Sequence, residues 1–225
     1  MDALARKAFQ GIVGVVLVAA ALLFGIPRTL DYWQAWVFLI VYFAASFLIT
    51  ARLLKSDPKL VERRMRAGPL AEKEIPQKII MLVASLGFAG LLVVPAFDRR
   101  LGWSHMAPAI AIAGDALVVL GWYAIYLVFR ENSFTSATIE IADDQRVVST
   151  GPYAYVRHPM YAGSLVMLLG IPIALGSWWG LIALGVIAAA LLWRILDEER
   201  FLTRHLAGYG AYKEKVRYRL IPHLW

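Results

Sequence analysis

The sequence predicts an all-α polytopic membrane protein of about six transmembrane helices. Three observations predict it. The 225-residue chain is 60% hydrophobic and only 17% charged, where a soluble domain would be about a quarter charged. Its apolar residues gather into six runs near the roughly 20 residues that a bilayer span needs. Of 23 Lys and Arg, all but Arg28, Arg99 and Arg100 fall in alternate connections or at the termini. That bias is the positive-inside pattern of an even number of spans, with both termini cytoplasmic.

The runs are 8–26, 33–54, 79–97, 106–129, 160–176 and 178–196. Arg6-Lys7 ahead of the first resembles the start of a signal peptide. No small-x-small cleavage site leading into a polar domain follows, so the run reads as a spanning helix. Loop 55–78 reads as a short amphipathic surface helix opening at Asp57-Pro58 and resting on headgroups. Trp33, Trp36, Trp103, Trp178 and Trp179 sit near the outer boundaries as an aromatic belt. Asp115 lies inside the fourth run; intramembrane acids are functional candidates, but its place near the outer end equally suits a structural hydrogen-bonding role. The last two runs are short and meet at a turn around Gly176-Ser177, which predicts a tight helical hairpin at the C-terminal end. No repeat or linker divides the chain, so 1–225 reads as one domain.

Composition also excludes. The chain has no cysteine, which removes disulfides, thiolate catalysis and cysteine-ligated metals. His105, His158, His205 and His223 have no metal-ligand spacing. The formal charge of +7 reads as basic loops facing anionic lipid rather than nucleic acid.

Two polar clusters break the apolar pattern, and an even span count puts both on the cytoplasmic side. The first is 145–163, with a Gly151-Pro152 turn, Arg157-His158-Pro159, Tyr161 and Gly163. Pro159 suits the first turn of a helix. The free N–H groups of that start, beside Arg157 and His158, make a positive, donor-rich mouth suited to a carboxylate or phosphate. The blander alternative is a basic anchor at headgroup level. The second cluster closes the last run, where Arg194 and Glu198 share a helix face at i and i+4. Glu198-Glu199 at a helix C-terminus oppose the macrodipole, which suggests that they serve a cationic ligand group; a snorkelling Arg and a solvated end are the alternative. An amphipathic tail, Gly208 to Pro222, can lie on the membrane and cover the site.

Gly151-Pro152-Tyr153, Arg157-His158-Pro159-x-Tyr161-x-Gly163, Arg194-x3-Glu198-Glu199 and Tyr212-x3-Val216 with Ile221-Pro222, in this order, resemble the isoprenylcysteine carboxyl methyltransferase family. Its relatives include membrane phospholipid N-methyltransferases. The resemblance covers about 130–225. It implies S-adenosylmethionine as cofactor, in a pocket at the cytoplasmic face, and a lipophilic or lipidated acceptor reaching it from membrane lipid. The family's cofactor-binding positions carry over to Gln145, Arg146, Val147 and Val148 as a strand-like stretch, then to Tyr153, to His158, Pro159, Met160 and Tyr161, and to Glu198. Its substrate-side arginine matches Arg194. A further polar contact of the family falls near Ser136 and is not carried over, because the loop here is about two residues longer.

On this reading Glu198 binds the donor's amino group, with Glu199, about 100° around the helix, mattering less. The Pro159 helix start with His158 holds the donor's carboxylate, and Arg194, an otherwise unpaired guanidinium in an apolar stretch, orients an acceptor carboxylate. Acceptors methylated on an amine or thiol remain the alternative within the class. A nicotinamide-dependent sterol-type reductase ends in a similar Arg-His-Pro-x-Tyr and Ile-Pro pattern, but such reductases carry an acid where this chain has Ser164. A non-enzymatic membrane scaffold explains the helices and not the two clusters.

Overall fold

The computed structural model describes residues 2–139, 141 and 145–225. Among these residues eight α-helices form: α1 Ala3–Gly25, α2 Trp33–Ser56, α3 Pro58–Met65, α4 Ile75–Leu101, α5 Pro108–Glu131, α6 Pro159–Ala174, α7 Gly180–His205 and α8 Tyr209–Lys215, with a 3₁₀ turn at Gly151–Ala154. Among the described residues there is no strand, and residues 145–148 carry no regular secondary structure. α1, α2, α4, α5 and α7 are long and apolar enough to cross a membrane. α6, at 16 residues, reaches roughly 24 Å at 1.5 Å per residue, short of a hydrocarbon core of about 30 Å. The chain is an integral membrane protein. Its surface fits that medium, since Leu17, Ile40, Leu48, Leu86 and Ile182 are all more than 60% exposed and would be ill-placed in water.

Local signals set the helix ends. Asp57 caps α3, its Oδ1 accepting from the Leu60 N–H at 3.0 Å, and Pro58 takes the first helical position. Leu60 and Val61 turn inward, so the expected amphipathic helix is present over 58–65. α4 stops at Gly102, whose φ of +68° allows the left-handed cap that returns its N–H to the Asp98 carbonyl.

The last two long helices are not the tight hairpin expected from their short connection. α6 packs chiefly on α5 and α7 on α4, with little contact between α6 and α7. Small residues explain the preference. A Cβ on Gly121 would lie 2.5 Å from Met167, and one on Gly170 would lie 2.6 Å from the Gly114 carbonyl. Gly114 and Gly121 on α5, and Gly163 and Gly170 on α6, recur every seven residues. Their backbones therefore approach closely along one seam, where dispersion contacts replace the missing hydrophobic drive within lipid. The turn between α6 and α7 is pinned instead to its neighbours. Ser177 Oγ donates to Asp98 Oδ2 at 2.5 Å and the Tyr32 hydroxyl to the Leu175 carbonyl at 2.7 Å. The expected hydrogen-bonding role of Asp115 is not seen. It is buried in α5, and neither carboxylate oxygen has a hydrogen-bond partner among the described residues.

Candidate active site

At the end of the bundle opposite the Ser177 turn, the helices open into a cleft. It spans about 850 Å³ of space, part of it open to solvent. All eleven residues singled out from the sequence line it: Gln145, Arg146, Val147, Val148, Tyr153, His158, Pro159, Met160, Tyr161, Arg194 and Glu198. The connection after α5 supplies one wall through Asn132, Phe134 and Ser136 to Ile139, while Leu202, Leu206, Tyr209 and Tyr212 supply another.

A satellite core frames the mouth. Leu206, Tyr209, Tyr212 and Val216 are buried together, with Val147, Tyr153 and Leu202 against them. Tyr212 donates to the Tyr153 carbonyl at 2.8 Å, and Asn132 Nδ2 donates to the Tyr153 hydroxyl at 3.0 Å. Burial pushes the phenols of Tyr153, Tyr209 and Tyr212 well above the ordinary tyrosine value, so all three stay neutral. The Tyr209 hydroxyl is buried with no hydrogen-bond partner among the described residues. A donor without a partner on the wall of a cleft is a natural ligand contact.

The first polar cluster is organised differently from the donor-rich mouth expected of it. α6 does begin at Pro159, with His158 at its N-cap. The Arg157 guanidinium, however, is turned inward, donating from Nε to Glu199 Oε1 at 2.6 Å and from Nη1 to the carbonyls of Val216 and Arg217. His158 Nε2 lies 3.2 Å from the same Oε1, and Arg219 Nε donates to Oε2 at 3.0 Å. Backbone bonds run alongside, from Arg157 N to the Tyr218 carbonyl and from His158 N to that of Arg219, each 2.9 Å. The mouth is thus largely neutralised, and Arg157 and Glu199 together stitch the tail over the cleft. The macrodipole argument for the two glutamates also falls away. α7 continues to His205, and end effects fade beyond the last turn.

The second cluster is built around Tyr161. Its hydroxyl donates to Glu198 Oε2 at 2.6 Å and accepts from Arg194 Nε at 3.0 Å, so it bridges the i, i+4 pair. Arg194 is not an unpaired guanidinium. Nη1 lies 2.8 Å from Glu72 Oε1 in an ion pair without hydrogen-bond alignment, and donates to Gln77 Oε1 at 3.0 Å; Nη2 donates to the Ala137 carbonyl at 2.9 Å. Gln77 in turn donates to Asp197. The anion that the apolar surroundings require is therefore resident in the chain.

These partners were not legible from the sequence. Glu72 and Gln77 sit in a loop and a helix start that carry no motif. Arg64, on a helix assigned to headgroups, instead donates to the Ser136 carbonyl at 3.0 Å behind the cleft wall. The one available signal was the amphipathic pattern of α3, whose inward face must meet some part of the bundle.

Comparison with known proteins supplies the context. Residues 109–208 match the model of the phospholipid methyltransferase family. A protein-S-isoprenylcysteine O-methyltransferase of Schizosaccharomyces pombe is 34% identical over 79 residues, 32% of this chain and 32% of that protein. The chain thus matches about a third of the length of this curated relative. A solved structure of the eukaryotic intramembrane Ras methyltransferase, an isoprenylcysteine carboxyl methyltransferase, aligns with a TM-score of 0.49 at 14% identity, covering 100% of this chain and 88% of that one. Residues 109–208, which run from α5 to beyond α7 and carry most of the cleft, are thus the part of the chain that resembles the phospholipid methyltransferase family.

Proposed function

We propose that the protein is an S-adenosylmethionine-dependent methyltransferase, acting on the carboxylate of a lipophilic, isoprenylcysteine-like acceptor at the cytoplasmic membrane face. The single observation that carries the reading is that one cleft gathers all eleven motif residues from four separate segments. The cleft fits the donor. Glu198 offers a carboxylate for an ammonium group, the buried and unpartnered Tyr209 hydroxyl offers a polar contact, and Tyr153 and Tyr212 offer aromatic walls. The irregular backbone of 145–148, on the cleft wall, can pair with a base edge. When bound, S-adenosylmethionine supplies a methyl group already activated by its sulfonium.

The chain's own residues then have alignment and water exclusion to provide. An ionised carboxylate needs no general base, so holding the reactants in line accounts for most of the gain, potentially several powers of ten. Tyr161 fixes the spacing of Glu198 and Arg194. It thereby sets the distance between the donor's amino group and the acceptor end. Arg194 would orient the acceptor's carboxylate by exchanging it for Glu72. The tail held by Glu199 closes the cleft from the aqueous side.

The test is binding and transfer on purified protein, with labelled S-adenosylmethionine, a nicotinamide dinucleotide, and carboxylate, amine and thiol acceptors. The expected result is binding of the methyl donor alone and transfer to a prenylated carboxylate. Transfer only to a phospholipid amine would replace the acceptor class. Sidedness is read by reporter fusions after Ser177 and at the C-terminus, expected on opposite sides of the membrane.

A further inference from the structure

We propose that Arg64, on the surface helix α3, captures the acceptor's carboxylate and is a specificity-determining residue of this site. The proposal rests on the carboxyl-transfer reading above. Four arginines approach the cleft from behind or within its wall; Arg146 is exposed to solvent, and of the other three, two are already matched. Arg157 has the Glu199 carboxylate and two carbonyls. Arg194 has Glu72, Gln77, the Ala137 carbonyl and the Tyr161 hydroxyl.

Arg64 has no acid. Its Nη1 donates to the Ser136 carbonyl at 3.0 Å and lies 3.6 Å from Met160 Sδ, and its guanidinium stands 5.3 Å over the Phe129 ring. It contacts Phe129 of α5, Ser136 of the following loop and Met160 of α6, and feels Tyr161 of α6, Arg194 of α7 and Tyr153 of the 3₁₀ turn electrostatically. No carboxylate among the described residues pairs with it. On its own helix Glu62 reaches the exposed Arg66 instead. Burial lowers the Arg64 pKa, and the neighbouring Arg194 charge lowers it further. A half-buried guanidinium with no carboxylate partner among the described residues carries a desolvation cost, and an incoming anion lowers that cost.

Placement makes the acceptor that anion. Ser136 and Met160, the two residues that Arg64 touches through Nη1, both line the cleft. The guanidinium therefore lies directly behind the wall. Met160 is an unbranched thioether that can swing aside at little cost. Arg64 lies close enough to Tyr161 and Arg194 to feel both electrostatically. A planar fork there can take a carboxylate bidentately. Among the described residues Arg64 has no anion to give up, whereas engaging Arg194 requires displacing Glu72. The carboxylate thus meets Arg64 first, and neutral or cationic acceptors gain nothing from it.

The experiment uses full-length protein in phosphatidylcholine vesicles and a prenylated cysteine with a free carboxylate as acceptor. Its neutral carboxamide analogue serves as a competitive probe. Arg64→Gln is expected to keep donor affinity by calorimetry and to raise the acceptor KM roughly tenfold or more, as loss of a hydrogen bond to a charged group implies. Carboxamide binding should be unchanged, and Arg64→Lys should recover part of the loss. Arg63→Gln, which removes the neighbouring bond to the Ser133 carbonyl, separates loop anchoring from anion capture and should leave the carboxylate KM near wild type. The proposal is overturned if Arg64→Gln leaves that KM unchanged, weakens acid and amide equally, or is matched by Arg63→Gln. Wild-type protein that binds the donor yet methylates only an amine overturns the carboxyl-transfer reading and this proposal together. Carboxylate transfer that ignores Arg64 overturns the proposal alone.

Discussion

Replacing Glu199 by Gln tests the tail stitch directly. The carboxylate has three N–H donors around it: Arg157 Nε at 2.6 Å, His158 Nε2 at 3.2 Å and Arg219 Nε at 3.0 Å. Glutamine keeps the shape, but its one carbonyl oxygen cannot serve all three, and its NH₂ faces donors rather than acceptors. The Arg157 and Glu199 side chains are only 6% and 7% exposed, so the guanidinium is left in a dry site with its charge unmatched. Breaking such a buried pair costs about 3–5 kcal/mol. Arg219, 30% exposed, adds little because water can screen it. For a chain of this size that loss corresponds to a thermal midpoint roughly 6–20 °C lower. The assay is thermal unfolding in detergent, with hydrogen exchange at the Arg157 and His158 amides, whose acceptors are the tail carbonyls of Tyr218 and Arg219. Those amides should lose protection together. An unchanged midpoint with unchanged exchange would show that Glu199 does not hold the tail, and the account of the closed cleft would fail with it.

Three further outcomes are expected. Glu198→Gln, which leaves the stitch intact, should weaken S-adenosylmethionine binding about tenfold or more by calorimetry, since a charge-assisted bond contributes about 1.5–3 kcal/mol; equal affinity would remove Glu198 from the donor site. Arg194→Lys loses the fork that reaches Tyr161, Gln77 and the Ala137 carbonyl together; single-turnover transfer should fall by one to a few powers of ten while donor affinity holds, and a wild-type rate would leave Arg194 as a buried brace only. Gly121→Ala puts a methyl where only 2.5 Å separates it from Met167, so α5 and α6 must part; a loss of about 1–3 kcal/mol should appear in detergent unfolding, and none would mean that the seam is looser than described.

The membrane class, the helix positions and the motif residues of the cleft were legible in the linear chain. Each depends on local quantities: the length of an apolar run, a Pro at a helix start, a spacing of four on a helix. Pro159 opened its helix and Asp57 capped its own because such signals act within one turn. The partners of charges were not legible, because pairing depends on distance in space. Arg194 read as unpaired until Glu72, distant in sequence, proved to lie 2.8 Å away. Glu199 read as the lesser of two acids until the tail folded back over it. The hairpin was misjudged for a related reason. A short connection brings α6 and α7 close in sequence, but Gly121 and Gly170 allow α5 and α6 a closer approach. Sequence by itself determined what each segment must be in a bilayer, since the solvent acts on every residue locally. Only the tertiary structure decided which buried charges neutralise one another, since that energy depends on separations of a few ångströms between residues far apart in the chain.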